Sequence, residues 1–455
     1  MRKTGAPARD SDSASLRSIP SVERLLSDSA FQALIAPYGR DRVKEALTAH
    51  LAELRARRVE FDAERALAAV RATAAGATRT SLAPVINGTG VIIHTNLGRS
   101  PIGTETWESA ASLVCRYANL EFDLRSGERG SRDEHLTSLC RTLFGCEAAL
   151  LTNNNAAATL LLLAAVAADR EVIVSRGELV EIGGGFRVPE IIQQGGARLR
   201  EVGTTNRTRI GDYADAVNER TAAILRVHRS NFEIVGFTES PSIADLVDLA
   251  RARKVPLLFD EGSGRVVDLS PYGFHAQPTL AQLIAAEVDV VTCSTDKLIG
   301  ATQGGLILGK REIVEKCRRH PLLRAMRAGK ESYAIVGATL QAFATGSYRS
   351  RIPLYRMLDV TVEELRRRAE DLVSGTGCTV RQSGCALGGG TTPAETISSV
   401  AIELPGPAHR AYERLLANDP PIVGRITEDR CTLDLRTMLE EDLPAVAKAL
   451  RAIEQ

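Results

Sequence analysis

The chain has 455 residues, of which 44% are hydrophobic and 25% charged, a composition typical of a soluble globular protein with two or three domains. Its formal net charge of +1 gives no reason to expect that the chain as a whole binds nucleic acid, and we expect no DNA partner. The eight cysteines show neither a C-x-x-C pair nor zinc-type spacing, which predicts reduced thiols in a cytoplasmic protein and no metal site. The longest apolar run, residues 156–168, is too short to cross a membrane, and the first residues lack the apolar segment of a secretory signal.

The N-terminal part divides into two segments by composition. Residues 1–18 are rich in Ser, Ala and Arg, which predicts disorder. Residues 19–75 instead show helical periodicity, with a helix beginning near Ser21 and a second helix over residues 40–60. We therefore expect a small helical domain at 19–75, whose mild basic excess is accounted for by a solvated helix face.

Two glycine-bearing polar loops follow. The loop at residues 84–103 contains a short predicted strand, Val91–Ile93, and then Arg99, which is either an anion-binding fork or a plain surface arginine. The loop at 119–135 carries three arginines and is either solvated or lines a site for an anionic substrate: Arg125, Arg129 and Arg132.

From residue 148 the sequence alternates between apolar, β-branched runs and helical runs, which predicts an α/β fold with a largely parallel sheet covered on both faces. Strands are predicted at residues 149–152, 171–175, 198–202, 222–228, 255–260 and 288–294, with another run at 304–309. Predicted helices between them include 156–168, 181–194 and 243–253. The pattern changes near residue 348, so we predict a core at 76–347 and a separate small α/β domain at 348–455.

Polar residues fall where these strands end, and ligands of parallel sheets bind at that edge. Thr152, Asn153, Asn154 and Asn155 follow the first strand and begin a helix, which is typical of a phosphate cradle. His228 and Asp260 end two later strands, and Ser294 and Lys297 follow the last one.

One cofactor accounts for this set of residues. Pyridoxal phosphate needs a phosphate cup, a carboxylate beside the pyridine nitrogen and a lysine that forms a Schiff base with its aldehyde. The triple-asparagine segment, Asp260 and Lys297 provide these in chain order. Taken singly, Lys297 could be a surface-loop lysine, Asp260 a cap or a loop residue, and His228 a satisfied core histidine.

Several phrases together resemble the bacterial selenocysteine synthase family, the L-seryl-tRNA(Sec) selenium transferases. They are INGTGVIIHTNLGRSPI (86–102), LTNNNAAATLLLL (151–163), VSRGELVEIGGGFRVPE (174–190), EVGTTNRT (201–208), the flanks of Asp260 and Lys297, and HPLLRAMR (320–327). The opening IPSVERLL (19–26) and the late VGRITEDRCTLDLR (423–436) match as well. The resemblance covers essentially the whole chain.

The resemblance implies a fold-type-I pyridoxal phosphate enzyme that is cytoplasmic and forms a homo-oligomer, a decamer. It implies that Lys297 binds the cofactor, Asp260 faces the ring nitrogen, and the helical domain at 19–75 binds tRNA. It implies conversion of L-seryl-tRNA(Sec) to selenocysteinyl-tRNA(Sec) through β-elimination to aminoacrylyl-tRNA, with selenium added from selenophosphate. The implied selenophosphate ligands are Arg99, Arg324 and Arg327.

The chain also departs from the family pattern beside the expected site. Thr295 replaces a glycine, Ala301-Thr302 replace Gly-Pro, Gly329 replaces an acidic residue, and Glu261 stands where an apolar residue is usual. Because these departures flank the expected site, we expect them to bear on how the substrate is bound more than on the use of the cofactor. The alternative functions are a related lyase that acts on a small amino acid or amino sugar acid instead of tRNA, and a non-catalytic RNA-binding protein.

Overall fold

A computed structural model of the chain describes residues 19–78, 80–183, 185–275, 277–392 and 395–453, so the disorder predicted for residues 1–18 lies outside the described residues. The chain divides into two compact units, Met1–Pro84 and Val85–Gln455. No helix in the described ranges is long and apolar enough to cross a membrane.

The first unit is helical, as the periodicity predicts. Its helices are α1 (Val22–Leu26), α2 (Ser29–Tyr38), α3 (Arg40–Arg57) and α4 (Ala63–Thr78). The Ser21 side chain accepts a hydrogen bond from the Arg24 N–H and caps α1. The apolar face predicted for α3 packs into the core of the unit through fully buried Val43, Leu47 and Leu51.

The second unit is built on a seven-stranded sheet with the order β2-β10-β9-β8-β7-β3-β6. All neighbouring pairs are parallel except the two made by β10, which runs antiparallel to β2 and β9. The strands are β2 (Ala148–Thr152), β3 (Glu171–Ser175), β6 (Arg198–Val202), β7 (Thr221–Val227), β8 (Leu257–Asp260), β9 (Val290–Ser294) and β10 (Gly305–Gly309). The predicted strands are therefore confirmed with small shifts at their ends.

Helices cover both faces of this sheet. Successive residues of β10 show this, because Leu306 and Leu308 pack in one apolar cluster while Ile307 packs in the other. The helices before β10 are α5 (Thr104–Val114), α6 (Glu134–Phe144), α7 (Asn155–Ala167), α8 (Val188–Gln194), α9 (Ile210–Ala216), α10 (Ile243–Arg253) and α11 (Leu280–Ala285). Those after it are α12 (Arg311–Arg319), α13 (Leu323–Met326), α14 (Lys330–Ala344), α15 (Tyr348–Arg351), α16 (Pro353–Asp359) and α17 (Val362–Val373). The predicted α/β fold with two covered faces is confirmed.

The C-terminal part forms an antiparallel four-stranded sheet, β11-β12-β15-β14. Its elements are β11 (Thr379–Ala386), β12 (Thr396–Glu403), α18 (Ala408–Leu416), β13 (Ile422–Val423), β14 (Arg425–Thr427), β15 (Arg430–Asp434) and α19 (Leu443–Ile453). An early strand, β1 (Ile86–Asn87), pairs with β13, so residues from the start of the unit complete its C-terminal part.

Some local predictions are wrong. The segment predicted as one helix at 181–194 begins with a hairpin, β4 (Glu181–Ile182) and β5 (Phe186–Arg187), and only its end is helical. In the predicted small domain, the helical pattern of residues 358–372 forms two helices rather than one, because the chain breaks between α16 and α17, where Thr361 caps the second helix. Val91–Ile93 forms only an isolated bridge, from Val91 to Ala386.

Candidate active site

The strand register brings the predicted polar residues to one edge of the large sheet. Asp260 is the last residue of β8 and lies opposite Val227 and Thr292 on the neighbouring strands. Thr152 and Ser294, which end β2 and β9, both lie opposite Gly305. Because β2, β7, β8 and β9 all end at this edge, the side chains that follow them face a common cleft.

Lys297 lies at this edge, almost fully buried at 7% exposure. Its Nζ donates to the carbonyl oxygens of Gly262, at 3.1 Å, and Gly390, at 3.3 Å. Burial, and then the charge of Arg99, hold the pKa of the Lys297 amine below its usual value. The environment therefore favours the neutral amine, which is the nucleophilic form.

Asp260 is buried beside Lys297. Its Oδ1 accepts hydrogen bonds from Asn155 Nδ2, at 2.8 Å, and from Thr292 Oγ1, at 3.2 Å. Within the described ranges no hydrogen bond reaches Oδ2, which remains able to accept one from a ligand. Burial raises the pKa of the Asp260 carboxyl, while these two hydrogen bonds and the charge of Lys297 oppose the rise.

His228 presents a neutral imidazole to the same cleft. Its Nδ1 lies 3.0 Å from the carbonyl oxygen of Glu261, so Nδ1 carries the proton. Its buried Nε2 has no partner among the described residues. Burial lowers the pKa of His228 to about 4, which keeps the ring uncharged at neutral pH.

The predicted phosphate cup is only partly turned toward the cleft. Asn154 caps α7 by accepting the Ala157 N–H, and it lines the cleft together with Asn155. Thr152 is fully buried, and its hydroxyl donates to the carbonyl groups of Asn154 and Gly305. Asn153 is exposed and does not line the cleft.

The cleft has a volume of about 250 Å³ and is lined by residues from all the strand ends described above. It contains Arg99, Asn154, Asn155, His228, Ser230, Asp260, Glu261, Ser294, Lys297 and Gln303. Three buried polar atoms on its wall have no partner among the described residues, namely Asn155 Oδ1, His228 Nε2 and Ser230 Oγ. Because unpaired buried polar atoms are costly, these atoms indicate a cleft built for a polar ligand. A buried amine, a carboxylate with a free oxygen and a flat neutral ring fit pyridoxal phosphate.

The three predicted anion ligands are not brought together in one cleft of the chain. Arg99 has a left-handed backbone, with φ of 65°, and its guanidinium pairs with Asp296 beside Lys297. Arg327 pairs with Glu121 in a second cleft, although its backbone bridges Thr152. Arg324 is exposed, and Arg327 follows the end of α13 in extended conformation, so the two arginines do not share one helical face, although a spacing of three residues would place them there in a continuous helix.

The departures from the family pattern are accommodated locally. Thr295 donates its hydroxyl to the Thr302 carbonyl, at 2.6 Å, and Ala301 donates its N–H to the Thr295 carbonyl, at 2.9 Å. The Thr295 hydroxyl, which a glycine would lack, therefore adds a second bond that closes the Lys297 loop on itself. At Gly329 a Cβ would collide with the Glu331 carboxylate, which fills the space that an acidic side chain at that position would need.

Sequence reasoning missed several groups of the site. Thr292 was not singled out, although strand pairing places it opposite Asp260. The Gly390 carbonyl reaches Lys297 from the C-terminal part, whereas the triple glycine at 388–390 by itself indicates only a tight turn or a loop close to other backbone. Within the described ranges no cluster of His, Cys, Asp and Glu side chains could hold a metal ion.

Comparison with known proteins agrees with this geometry. The family model for L-seryl-tRNA selenium transferase matches residues 85–439, and the model for the N-terminal region of selenocysteine synthase matches residues 16–55. The L-seryl-tRNA(Sec) selenium transferase of Carboxydothermus hydrogenoformans is 42% identical over 94% of this chain and 95% of its own length. The enzyme of the same name from Geobacter sulfurreducens is 43% identical over 96% of this chain and 98% of its own.

A solved structure of D-glucosaminate-6-phosphate ammonia-lyase superposes with a TM-score of 0.61 at 23% identity, covering 82% of this chain and 96% of that chain. Likeness at this identity concerns the fold alone, which is the fold-type-I architecture of pyridoxal phosphate enzymes. Selenium transferases of the matched family depend on pyridoxal phosphate, and the cleft around Lys297 fits that cofactor. The chain belongs to the L-seryl-tRNA selenium transferase family.

Proposed function

We propose that this protein converts L-seryl-tRNA(Sec) to selenocysteinyl-tRNA(Sec), with pyridoxal phosphate bound at Lys297 and selenophosphate as the selenium donor. The observation that carries the proposal is the buried Lys297 amine, which faces Asp260 and His228 in one cleft at the carboxyl edge of the sheet. Relatives named for this reaction match the chain nearly end to end.

Pyridoxal phosphate, when bound, withdraws electrons from the α-carbon of an attached amino acid and so makes its proton acidic. In this protein Lys297 would hold the cofactor until the seryl amino group replaces it. The freed Nζ would lie in the same cleft and would serve as the base that accepts the α-proton. Nζ donates its hydrogens to the Gly262 and Gly390 carbonyl oxygens, which leaves the lone pair of the neutral amine available.

Asp260 and His228 would orient the cofactor ring. Asp260 Oδ1 is held by Asn155 and Thr292, so Oδ2 is free to pair with a protonated ring nitrogen and keep that proton in place. His228 stays neutral and offers a flat face, so it adds no positive charge that would compete with the ring for electrons. Asn154 and Asn155, at the start of α7, support binding of the cofactor phosphate.

Selenophosphate would bind through arginine, whose planar fork pairs bidentately with phosphate-like oxygens. Arg99 lines the cleft beside Lys297 and is the strongest candidate ligand. Arg324 and Arg327 are proposed as further ligands, with support from the Arg327 backbone bridge to Thr152. For Arg327 to bind the anion, its guanidinium has to leave Glu121.

We propose further that residues 19–75 bind the tRNA, that the core spans 76–347 with a small domain at 348–455, and that the protein forms a cytoplasmic homodecamer. The described first unit has its own apolar core, and the exposed charges of α3 are five basic and three acidic residues, a mild excess that supports RNA binding. Large apolar side chains exposed along residues 107–124 support contact between copies: Trp107, Leu113, Tyr117, Phe122 and Leu124. Eight free cysteines support a reducing compartment.

The direct test is to incubate the purified protein with seryl-tRNA(Sec) and selenophosphate and then to identify the amino acid esterified to the tRNA. Selenocysteine is the expected product. A different result would be unchanged serine on the tRNA, together with elimination from a free amino acid or amino sugar acid in a parallel reaction. That result would show that the protein is a small-molecule lyase instead. Light scattering of the same preparation measures the number of subunits.

A further inference from the structure

Glu261 is a buried carboxyl at the cleft that the proposed reaction does not use. It follows Asp260 directly, is 1% exposed and lines the cleft. A buried carboxylate is costly unless hydrogen bonds satisfy it, so its presence beside the reactive lysine needs a physical reason.

Its own loop supplies these hydrogen bonds. Glu261 Oε2 accepts the N–H groups of Ser263, at 3.1 Å, and Gly264, at 2.6 Å, while Oε1 accepts the Ser263 hydroxyl. All three groups act as donors, which is the arrangement that suits an ionised carboxylate. The loop is sharply bent, with φ of 70° at Gly262 and 75° at Gly264.

The carbonyl groups of the same loop hold the parts of the site that react. The backbone carbonyl oxygen of Glu261 lies 3.0 Å from His228 Nδ1, and the backbone carbonyl oxygen of Gly262 accepts a hydrogen bond from Lys297 Nζ at 3.1 Å. The Ser263 oxygen accepts the Leu298 N–H at 3.0 Å. Three successive carbonyl groups therefore contact the imidazole, the amine and the residue after Lys297.

We propose that Glu261 is a positioning residue, whose carboxylate fixes the 261–264 loop so that its carbonyl groups orient the Lys297 amine and the His228 ring. Two N–H groups of a neutral Lys297 amine point at the Gly262 and Gly390 oxygens, and this directs its lone pair into the cleft. Loss of the carboxylate frees the loop and, with it, the direction of the lone pair. The proposal depends on the proposed function only in taking Lys297 as the reacting group.

Charge adds a second effect of the same side chain. The charged groups that act on Lys297 are Arg99, which lowers the pKa of its amine, and Asp296, Asp260 and Glu261, which raise it. Neutral His228 completes the surroundings. Removing the Glu261 charge therefore lowers the pKa of the Lys297 amine.

The test measures Lys297 directly in the full chain freed of cofactor, with no tRNA and no turnover. The protein is labelled competitively with acetic anhydride across a pH series, and acetylation of Lys297 is quantified by mass spectrometry of its peptide. For Glu261→Gln we expect the rate at high pH, where the amine is fully neutral, to fall by about tenfold, because the lone pair loses its direction. We also expect the midpoint of the profile to move down by roughly one pH unit.

Two further variants keep the test decisive. Ser263→Ala removes one donor to the carboxylate with little change in volume, so it should lower the high-pH rate in the same direction by a smaller factor. Asp245→Asn is the matched control, because Asp245 likewise accepts a serine N–H and hydroxyl but caps α10 away from the cleft. Its profile should equal that of the unchanged protein.

A Glu261→Gln profile with the original rate and midpoint would overturn the proposal, whether or not the melting temperature fell. That result would leave the proposed function intact, since formation of selenocysteinyl-tRNA is measured separately. Conversely, failure of the selenium transfer reaction would leave the effect of Glu261 on Lys297 measurable.

Discussion

At the scale of single residues, the site favours the uncharged forms of an amine and an imidazole. Burial is the main cause in both, since it lowers the pKa of Lys297 and of His228. The same burial raises the pKa values of the neighbouring carboxyls Asp260 and Glu261. Hydrogen bonds to each carboxyl, from Asn155 and Thr292 in one case and from Ser263 and Gly264 in the other, oppose that rise.

Asp260→Asn tests the role of the free oxygen. The asparagine carbonyl can still accept from Asn155, but its amide nitrogen then takes the place of Oδ2 and repels a protonated ring nitrogen. We expect selenium transfer to fall by about a hundredfold or more while cofactor remains bound. Single-turnover rates and cofactor content per subunit measure this. A variant of normal rate would remove Asp260 from the mechanism.

His228 predicts an acid-sensitive stability. Its pKa is about 4 in the folded protein and near 6.5 when exposed, so the unfolded chain binds the extra proton between these values. The contribution of His228 to the free energy of unfolding is therefore complete above about pH 6.5. It is lost as the pH falls toward 4, and the loss amounts to about 3 kcal/mol at most. Urea unfolding at several pH values measures how steeply the free energy of unfolding changes with pH, and this slope should be shallower in His228→Asn. An equal slope in both proteins would contradict the assignment.

At the scale of elements, the sequence predicts where the strands end, but it does not predict the contacts that join segments far apart in the chain. The predicted bounds of β2, β3, β6, β7, β8 and β9 lie within two residues of the observed ones, and all of these strands except the half-exposed β6 are largely apolar and buried. The order of the strands and the Asp260–Thr292 register depend on packing between distant segments, which local pattern does not contain. For the same reason the pairing of Arg327 with Glu121 and the contact of Gly390 with Lys297 could not be predicted.

Arg436 also joins segments that are far apart in the sequence. It is 2% exposed, and its guanidinium donates to the carbonyl groups of Met357, Val360 and Ser398, joining the α16–α17 junction to β12. Arg436→Met leaves these carbonyl groups unpaired and should lower the free energy of unfolding by about 3 kcal/mol. Arg430→Met, at the exposed first residue of β15, is the control and should cost about 0.5 kcal/mol or less. Equal urea midpoints for the two variants would show that the Arg436 contacts contribute little.

At the scale of the whole molecule, the chain consists of two compact units with separate apolar cores. If the first unit binds tRNA through phosphates, affinity should fall steeply with salt. Deleting residues 1–84 should weaken tRNA binding by at least about tenfold in filter binding, while the remaining chain keeps its cofactor absorbance. Unchanged tRNA affinity after the deletion would assign RNA recognition to the second unit instead.

The two units also differ in what their sequences reveal. The core of the first follows from helical periodicity alone, whereas the cleft of the second requires strand ends, the 261–264 loop and the 388–390 turn to meet. Function therefore depends on the part of the fold that is least local in sequence.

The most direct measurement of the central claim is borohydride reduction of the purified protein, followed by mass mapping of its lysines. We predict one phosphopyridoxyl group per chain, on Lys297, and none in Lys297→Ala. A group on another lysine, or cofactor absorbance that survives Lys297→Ala, would contradict it.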